Sequence, residues 1–258
     1  MQNALITGGS SGMGLEYARQ LAAQGYSLTI VSNRQDQLDS AVPELERVNP
    51  DITVTSHWAD LAAEGAAAGL RDWCREQDLL PDVLVCNAGM FFFEELSECN
   101  LKKYDTMLGL HVRANTELCI LFGEEMKRRR SGRIIIVSSM AAKLPTPGIA
   151  LYSATKAYLL SFGKSLWFEM KPYGVKVTTV CPAAIATPLY NLKPSLMKFG
   201  TNIGVIHTPK WLVRRALRAS EHGRRVIRPS FMNVYLPVLV ALLPAPLELK
   251  LWDKFNRK

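Results

Sequence analysis

Residues 6–14 read ITGGSSGMG, a glycine-rich turn that closes an apolar run and opens a stretch of helical spacing. Glycines at such a junction let backbone amides approach a pyrophosphate, and the N-terminus of the following helix adds partial positive charge. In the spacing T-G-x-x-x-G-x-G the positions are Thr7, Gly8, Gly12 and Gly14, with Ser10, Ser11 and Met13 among them. A tight strand-to-helix turn without a ligand would use the same residues, so the loop alone decides little. It carries no G-K-[ST], which excludes a nucleoside triphosphatase loop.

Downstream, short apolar runs alternate with longer helix-like stretches. The runs are Ala4–Thr7, Ser27–Val31, Thr53–His57, Val83–Cys86, Arg133–Val137 and Val175–Val180, and most are continuous, as strands buried on both faces should be. Gly14–Gln24, Gln35–Val48, Ala62–Gln77, Leu101–Arg130 and Tyr152–Tyr173 supply the helices between and after them. This β-α-β-α rhythm predicts an α/β fold, a doubly wound parallel sheet with helices on both faces. The chain divides into a core over 1–190, a substrate lid with its following helix over 188–228, and an apolar and basic extension over 229–258.

Composition narrows the partners. The 258 residues carry a net charge of +8, and between Lys210 and Lys258 there are eleven Lys/Arg against three Asp/Glu, so the whole excess lies in the tail. No nucleic-acid recognition motif accompanies it. Cys74, Cys86, Cys99, Cys119 and Cys181 are odd in number and never spaced C-x-x-C, and the four histidines form no H-E-x-x-H. Free core thiols, no bound metal and a reducing, cytoplasmic compartment are expected. No stretch has the order of a signal peptide.

At the end of the second strand, where an acid would grip an adenine-ribose hydroxyl, the sequence reads VSNRQDQL. An acid there would repel a 2′-phosphate, whereas Asn33 and Arg34 can donate to one, which favours NADP(H) over NAD(H). Arg34 as a solvated loop charge remains the alternative.

Residues 151–156, LYSATK, place Tyr152 one helical turn before Lys156. Bringing a phenol from its ordinary pKa of about 10 into use at neutrality requires on the order of 4 kcal/mol. An ammonium about 4 Å away supplies roughly that at an effective dielectric of about 20. Lys156 can therefore make Tyr152 a proton donor and acceptor near neutral pH. Ser138 and Ser139 end the strand IIIV, where side chains enter the crevice beyond the sheet.

Thr7–Gly14, Asn87-Ala88-Gly89 after the fourth strand, Ser139 and Tyr152–Lys156, in that order and spacing, resemble the short-chain dehydrogenase/reductase family over roughly residues 3–190. The resemblance implies a Rossmann-like domain binding NAD(P)(H). Ser139 would hold the substrate oxygen, Tyr152 exchange its proton, and Lys156 tune the phenol while binding the nicotinamide ribose. Asp60 and Leu61 would contact the adenine, Asn87–Gly89 the cofactor side, and Pro182, Ile185 and Thr187 the nicotinamide amide. Self-association through Leu101–Arg130 and Tyr152–Tyr173, as a homodimer or homotetramer, is likewise implied. Two departures stand out: Ala183 replaces the loop glycine, and His111 occupies the place of the family's Asn, which bends a helix and orders a relay water. His111 either substitutes in the proton relay or is a packed polar residue.

Residues 188–207 mix Leu, Met, Phe and Tyr with Lys, as an apolar substrate lid would. Thr208-Pro209 has the cap-plus-proline order of a helix start. Pro229–Leu247 is uncharged and interrupted by four prolines, with Arg224, Arg225 and Arg228 before it and Lys250, Lys254, Arg257 and Lys258 after. A spanning helix is not expected; contact with a membrane surface, or a segment folded over the pocket or a dimer partner, is. Leu144–Thr187 and the tail are similar to the very-long-chain 3-oxoacyl-CoA reductases and 17β-hydroxysteroid dehydrogenases. The sequence thus points to NADP(H)-dependent interconversion of a ketone and a secondary alcohol on a hydrophobic, lipid- or steroid-like substrate. The alternatives are a reductase of small soluble ketones and a non-catalytic NADP(H)-sensing protein.

Overall fold

Seven parallel strands form one sheet in the computed structural model, which describes residues 2–144, 146–185, 206–244, 246–247 and 249–250. Asn3–Thr7 (β1), Ser27–Ser32 (β2), Val54–Trp58 (β3), Val83–Cys86 (β4), Gly132–Val137 (β5), Val175–Val180 (β6) and Val226–Ile227 (β7) lie in the order β3-β2-β1-β4-β5-β6-β7. Every residue of β1 and β4 is buried, which is why those stretches are apolar without alternation. The strand order reverses between β1 and β4, so a crevice opens beyond their carboxyl ends.

Helices cover both faces. Against one pack α1 (Gly12–Ala23), α2 (Gln35–Val48) and α7 (Pro209–Glu221), which contribute Tyr17, Leu21, Leu38, Leu45, Leu212 and Leu217 to one apolar layer. On the other, α3 (Ala66–Glu76), α5 (Asn115–Arg129) and α6 (Ala150–Met170) contribute Leu70, Leu118, Phe122, Leu159 and Met170. Each such large side chain, buried, is worth about 1.5–3 kcal/mol relative to exposure. α7 starts as its sequence dictates, with the Thr208 hydroxyl accepting from the Trp211 N–H at 3.3 Å and Pro209 in the first turn.

Three elements differ from the sequence expectation. The helix anticipated over Leu101–Arg130 divides into α4 (Leu101–Leu108), a π turn over Gly109–Ala114, and α5. The wider turn frees carbonyls, and the Asn115 amide donates to two of them, Leu110 O at 2.9 Å and His111 O at 3.0 Å. The helix expected from Ala62 begins at Ala66, after Gly65 in the left-handed region. Strand β7 was not anticipated, because two residues show no periodicity; it is held by Thr179 N–H to Arg225 O and Cys181 N–H to Ile227 O, both 3.0 Å.

The uncharged tail forms helix α8 (Met232–Ala241) through Pro237. Among the described residues no helix is long and apolar enough to cross a membrane. Cys74, Cys86, Cys119 and Cys181 are buried thiols, but Cys99 is exposed, so the core-thiol expectation fails for that one. Thr187 and nearly all of the 188–207 segment lie outside the described residues, as does the chain from residue 251 onward.

Candidate active site

The glycine turn is fixed from two sides. Thr7 Oγ1 accepts from the Asn87 and Ala88 N–H groups, each at 3.0 Å, and donates to Val85 O at 3.2 Å. The Asn87 amide returns the tie, donating to Thr7 O at 3.1 Å. Gly8 and Gly9 N–H both reach Val31 O, and the Ser10 hydroxyl donates toward Ser32 Oγ and Gln37 Oε1. Gly8 and Gly12 have φ of +63° and +54°, which only glycine adopts readily. A Cβ at Gly14 would collide with the Gly8 carbonyl, so the third glycine is required by the close approach of α1 to the turn.

Beyond the sheet, Ser139 leads into a short 3-10 turn over Met140–Lys143 and its Oγ accepts from the Ala141 N–H at 3.1 Å. Tyr152 and Lys156 are 5 % exposed each, one turn apart on α6. The Lys156 ammonium donates to Val137 O at 3.2 Å and stands 5.6 Å from the centre of the Tyr152 ring. Ser138, whose hydroxyl donates to Lys156 O at 2.7 Å, pins the same turn. Gly163 lets α6 lie this close to β6, because a Cβ there would strike Thr179 Oγ1.

These groups meet in one cleft of about 310 Å³, lined by Gly8, Ser11, Gly12, Met13, Asn87, Ala88, Gly89, Ser138, Ser139, Tyr152, Lys156, Pro182 and Ile185, with Met90 and Val137 added to the anticipated set. The additions are chain neighbours of predicted residues, and adjacency was their one signal. Among the described residues no acidic side chain lines this cleft, one end is the N-terminus of α1, and the glycine cradle is one a Cβ would fill. The residues therefore fit an anionic dinucleotide. A second, apolar chamber of about 410 Å³ shares Ser139, Tyr152, Pro182 and Ile185 with the first and is walled by Phe91, Phe93, Leu144, Ile149 and Ile206.

The profile of the short chain dehydrogenase family matches residues 2–195. The chain belongs to this family. It is 31% identical over 216 residues to 17-beta-hydroxysteroid dehydrogenase type 3 of Danio rerio, covering 81% of this chain and 69% of that protein. It is 30% identical over 237 residues to the very-long-chain 3-oxoacyl-CoA reductase of Aspergillus terreus, covering 88% of this chain and 63% of the reductase. Among solved structures, the bulky-bulky ketone specific alcohol dehydrogenase from Comamonas testosteroni superposes with a TM-score of 0.77 at 26% identity, covering 95% of this chain and 96% of that one. A short-chain dehydrogenase from Sphingobium yanoikuyae in complex with NADPH shares the fold, with a TM-score of 0.79 at 24% identity and coverage of 95% and 97%. The protein is accordingly an oxidoreductase acting on CH–OH groups.

Other anticipated residues of this dehydrogenase lie outside the cleft lining. Ser10 and Gly14 support the turn from behind. Arg34 is exposed and its guanidinium pairs with the Asp36 carboxylate through contacts of 3.0 and 3.1 Å, which raises the one pKa and lowers the other. Asn33 presents its carbonyl to Trp58 Nε1 at 3.1 Å. Asp60 accepts from the Ala62 N–H at 3.1 Å, and the Leu61 side chain is packed in the core, leaving its backbone to meet a ligand. His111 is fully buried, and both of its ring nitrogens are engaged, Nε2 by the Met90 N–H and Nδ1 by Thr155 Oγ1, each at 2.9 Å.

Burial sets the charge balance. It pushes the Lys156 pKa down to about 8, and burial together with the Lys156 charge holds His111 well below its ordinary range. The lysine is cationic below that value and neutral above it, so kcat/KM for the dinucleotide, which reports the free enzyme, should fall as pH rises through about 8. A pH profile whose alkaline limb appears only near the ordinary lysine value of about 10.4 would contradict this.

Proposed function

We propose that this short-chain dehydrogenase interconverts a ketone and a secondary alcohol on a hydrophobic substrate, using NADP(H). The observation that carries the reading is the meeting of the glycine-turn cleft and the apolar chamber at Ser139 and Tyr152. Nicotinamide, when bound, supplies or accepts the hydride at the carbon that bears the oxygen. Ser139 Oγ donates to the substrate oxygen and orients it. Tyr152 gives that oxygen its proton in reduction and takes it back in oxidation, and the Lys156 ammonium stabilises the resulting phenolate. Phe91, edge-on to the Tyr152 ring at 5.0 Å between centres, helps to keep water from this junction.

NADP(H) is favoured because Ser32, Asn33 and Arg34 end β2 with no acid in the place that would repel a 2′-phosphate. The Asp36 partner means that Arg34 must exchange a carboxylate for the phosphate. The hydrophobic substrate class rests on the apolar walls of the chamber and agrees with the activities named for the steroid and acyl-CoA relatives. A panel of 3-oxoacyl thioesters, steroid ketones and short ketones, assayed with NADPH and with NADH, tests both parts. Highest kcat/KM for a long or polycyclic ketone with NADPH is expected; preference for short soluble ketones, or for NADH, would overturn the corresponding part.

A membrane contact is favoured by a separate observation. Phe231, Tyr235, Val238, Leu239 and Leu242 are 58–76% exposed along and just beyond α8, with no acid between Pro229 and Leu247. α8 is rooted beside the cleft, since the buried Asn233 amide donates to Cys181 O at 2.9 Å. Vesicles rich in anionic lipid should carry the protein upward in flotation, and Leu239→Glu should abolish this. Equal recovery of both proteins would dismiss the contact.

A further inference from the structure

We infer that His111 is a positioning residue: as the Nδ1–H tautomer it ties the Asn87–Met90 turn to α6 through Thr155, and it carries no proton during the reaction. The inference rests on the proposed reaction for its catalytic meaning but on hydrogen-bond accounting for its substance. The Met90 N–H has no acceptor role, so Nε2, 2.9 Å away, must be the accepting nitrogen. A neutral ring then bears its hydrogen on Nδ1 and donates it to Thr155 Oγ1 at 2.9 Å. The Thr155 hydrogen is directed in turn to Tyr152 O at 2.9 Å. Met90 N–H, His111, Thr155 and the Tyr152 carbonyl form one directional array, and it ends on the Tyr152 backbone.

A proton passing through the ring would have to occupy Nε2, where it would face the Met90 N–H, donor against donor in a site closed to water. The groups around the ring resist the same step: Lys156 from α6 is cationic, the Tyr152 ring lies edge-on at 5.8 Å, and Arg113 from the same π turn is occupied with Ala62 O. The imidazole is also fixed at its root, because Asn115 Nδ2 holds the His111 and Leu110 carbonyls. Gly89 completes the fit, since a Cβ there would lie 3.0 Å from Nε2. The array spans the distance between the turn that faces the cofactor and the backbone of the proton donor, so it sets how the Tyr152 ring stands relative to bound dinucleotide.

Two measurements test this on the full chain. Long-range proton–nitrogen spectra of the uniformly nitrogen-15-labelled protein, assigned by the loss of one signal set in His111→Asn, should show His111 as an Nδ1–H ring unchanged between about pH 5.5 and 8.5. A titrating ring, or an Nε2–H pattern, overturns the inference, and neither outcome depends on turnover or on the identity of the substrate. Thr155→Val keeps the shape of the buried side chain and removes the hydroxyl; kcat should fall about tenfold while KM for NADPH stays within about twofold. Thr155→Ser, which restores the hydroxyl and loses a methyl, should recover most of that loss. Wild-type kcat in Thr155→Val, or a Thr155→Ser enzyme as impaired as Thr155→Val, contradicts the array.

Discussion

Tyr152→Phe should lower turnover about a hundredfold or more while leaving NADPH affinity near that of the unmodified enzyme. The substitution removes one oxygen. The phenyl ring would keep its edge-on contact with Phe91, and Lys156 would keep its hydrogen bond to Val137 O, so neither the packing nor the cationic wall of the cleft changes. What disappears is the hydroxyl proposed to supply a proton to the substrate oxygen at the junction of cleft and chamber. Steady-state rates with the best ketone of the panel, together with NADPH titration by fluorescence, separate the two quantities. Turnover within a few-fold of the unmodified enzyme would remove Tyr152 from the chemistry.

Gly14→Ala should be, among the described glycines, the most damaging added methyl for cofactor binding. Its Cβ would overlap the Gly8 carbonyl, a backbone atom in a turn pinned by Thr7, Asn87 and Val31. Either α1 or the turn must shift on the order of an ångström, and misplacement of that size costs about a hundredfold where geometry is critical. NADPH affinity should fall by that factor, with a lowered melting temperature. Gly69→Ala is the matched control: it sits inside α3 with nothing within 4 Å of an added Cβ. There the methyl should raise stability by about 0.4–1 kcal/mol through the unfolded chain and leave affinity unchanged. Equal NADPH affinity in the two variants would show that the close approach at Gly14 does not shape the cradle.

Much of this was legible in the sequence because the relevant signals are local. Five of the seven strands are largely buried, and burial on both faces favours the apolar runs that mark them, whereas the edge strand β3 has no buried residue. The glycine turn, Asn87–Gly89 and Tyr152–Lys156 are each contiguous, and the sheet brings their neighbourhoods together at one edge. What was hidden depends on contacts between distant segments. The π turn follows from Asn115 reaching back to two carbonyls, and nothing in the helical periodicity of residues 101–130 announces it. Strand β7 exists because β6 offers it hydrogen bonds, and the walls of the apolar chamber come at once from segments as distant as Phe91, Leu144, Ile185 and Ile206. His111 was visible as a departure, but its hydrogen-bond partners, Met90 and Thr155, were not, since they lie 21 and 44 residues away. Arg34 was read as a candidate phosphate ligand or a solvated loop charge and not as a partner of Asp36, although the two are near neighbours in the chain.

In the proposed reaction, hydride passes between a dinucleotide in the cleft and a carbonyl carbon in the chamber, with Tyr152 serving the oxygen. NADPH carrying deuterium at the transferable position of its nicotinamide, incubated with enzyme and a hydrophobic ketone, tests that most directly. The carbinol carbon of the alcohol product should carry the deuterium in full. Product in which that carbon bears hydrogen drawn from water, or NADPH that binds and is never consumed by any carbonyl compound, would contradict it.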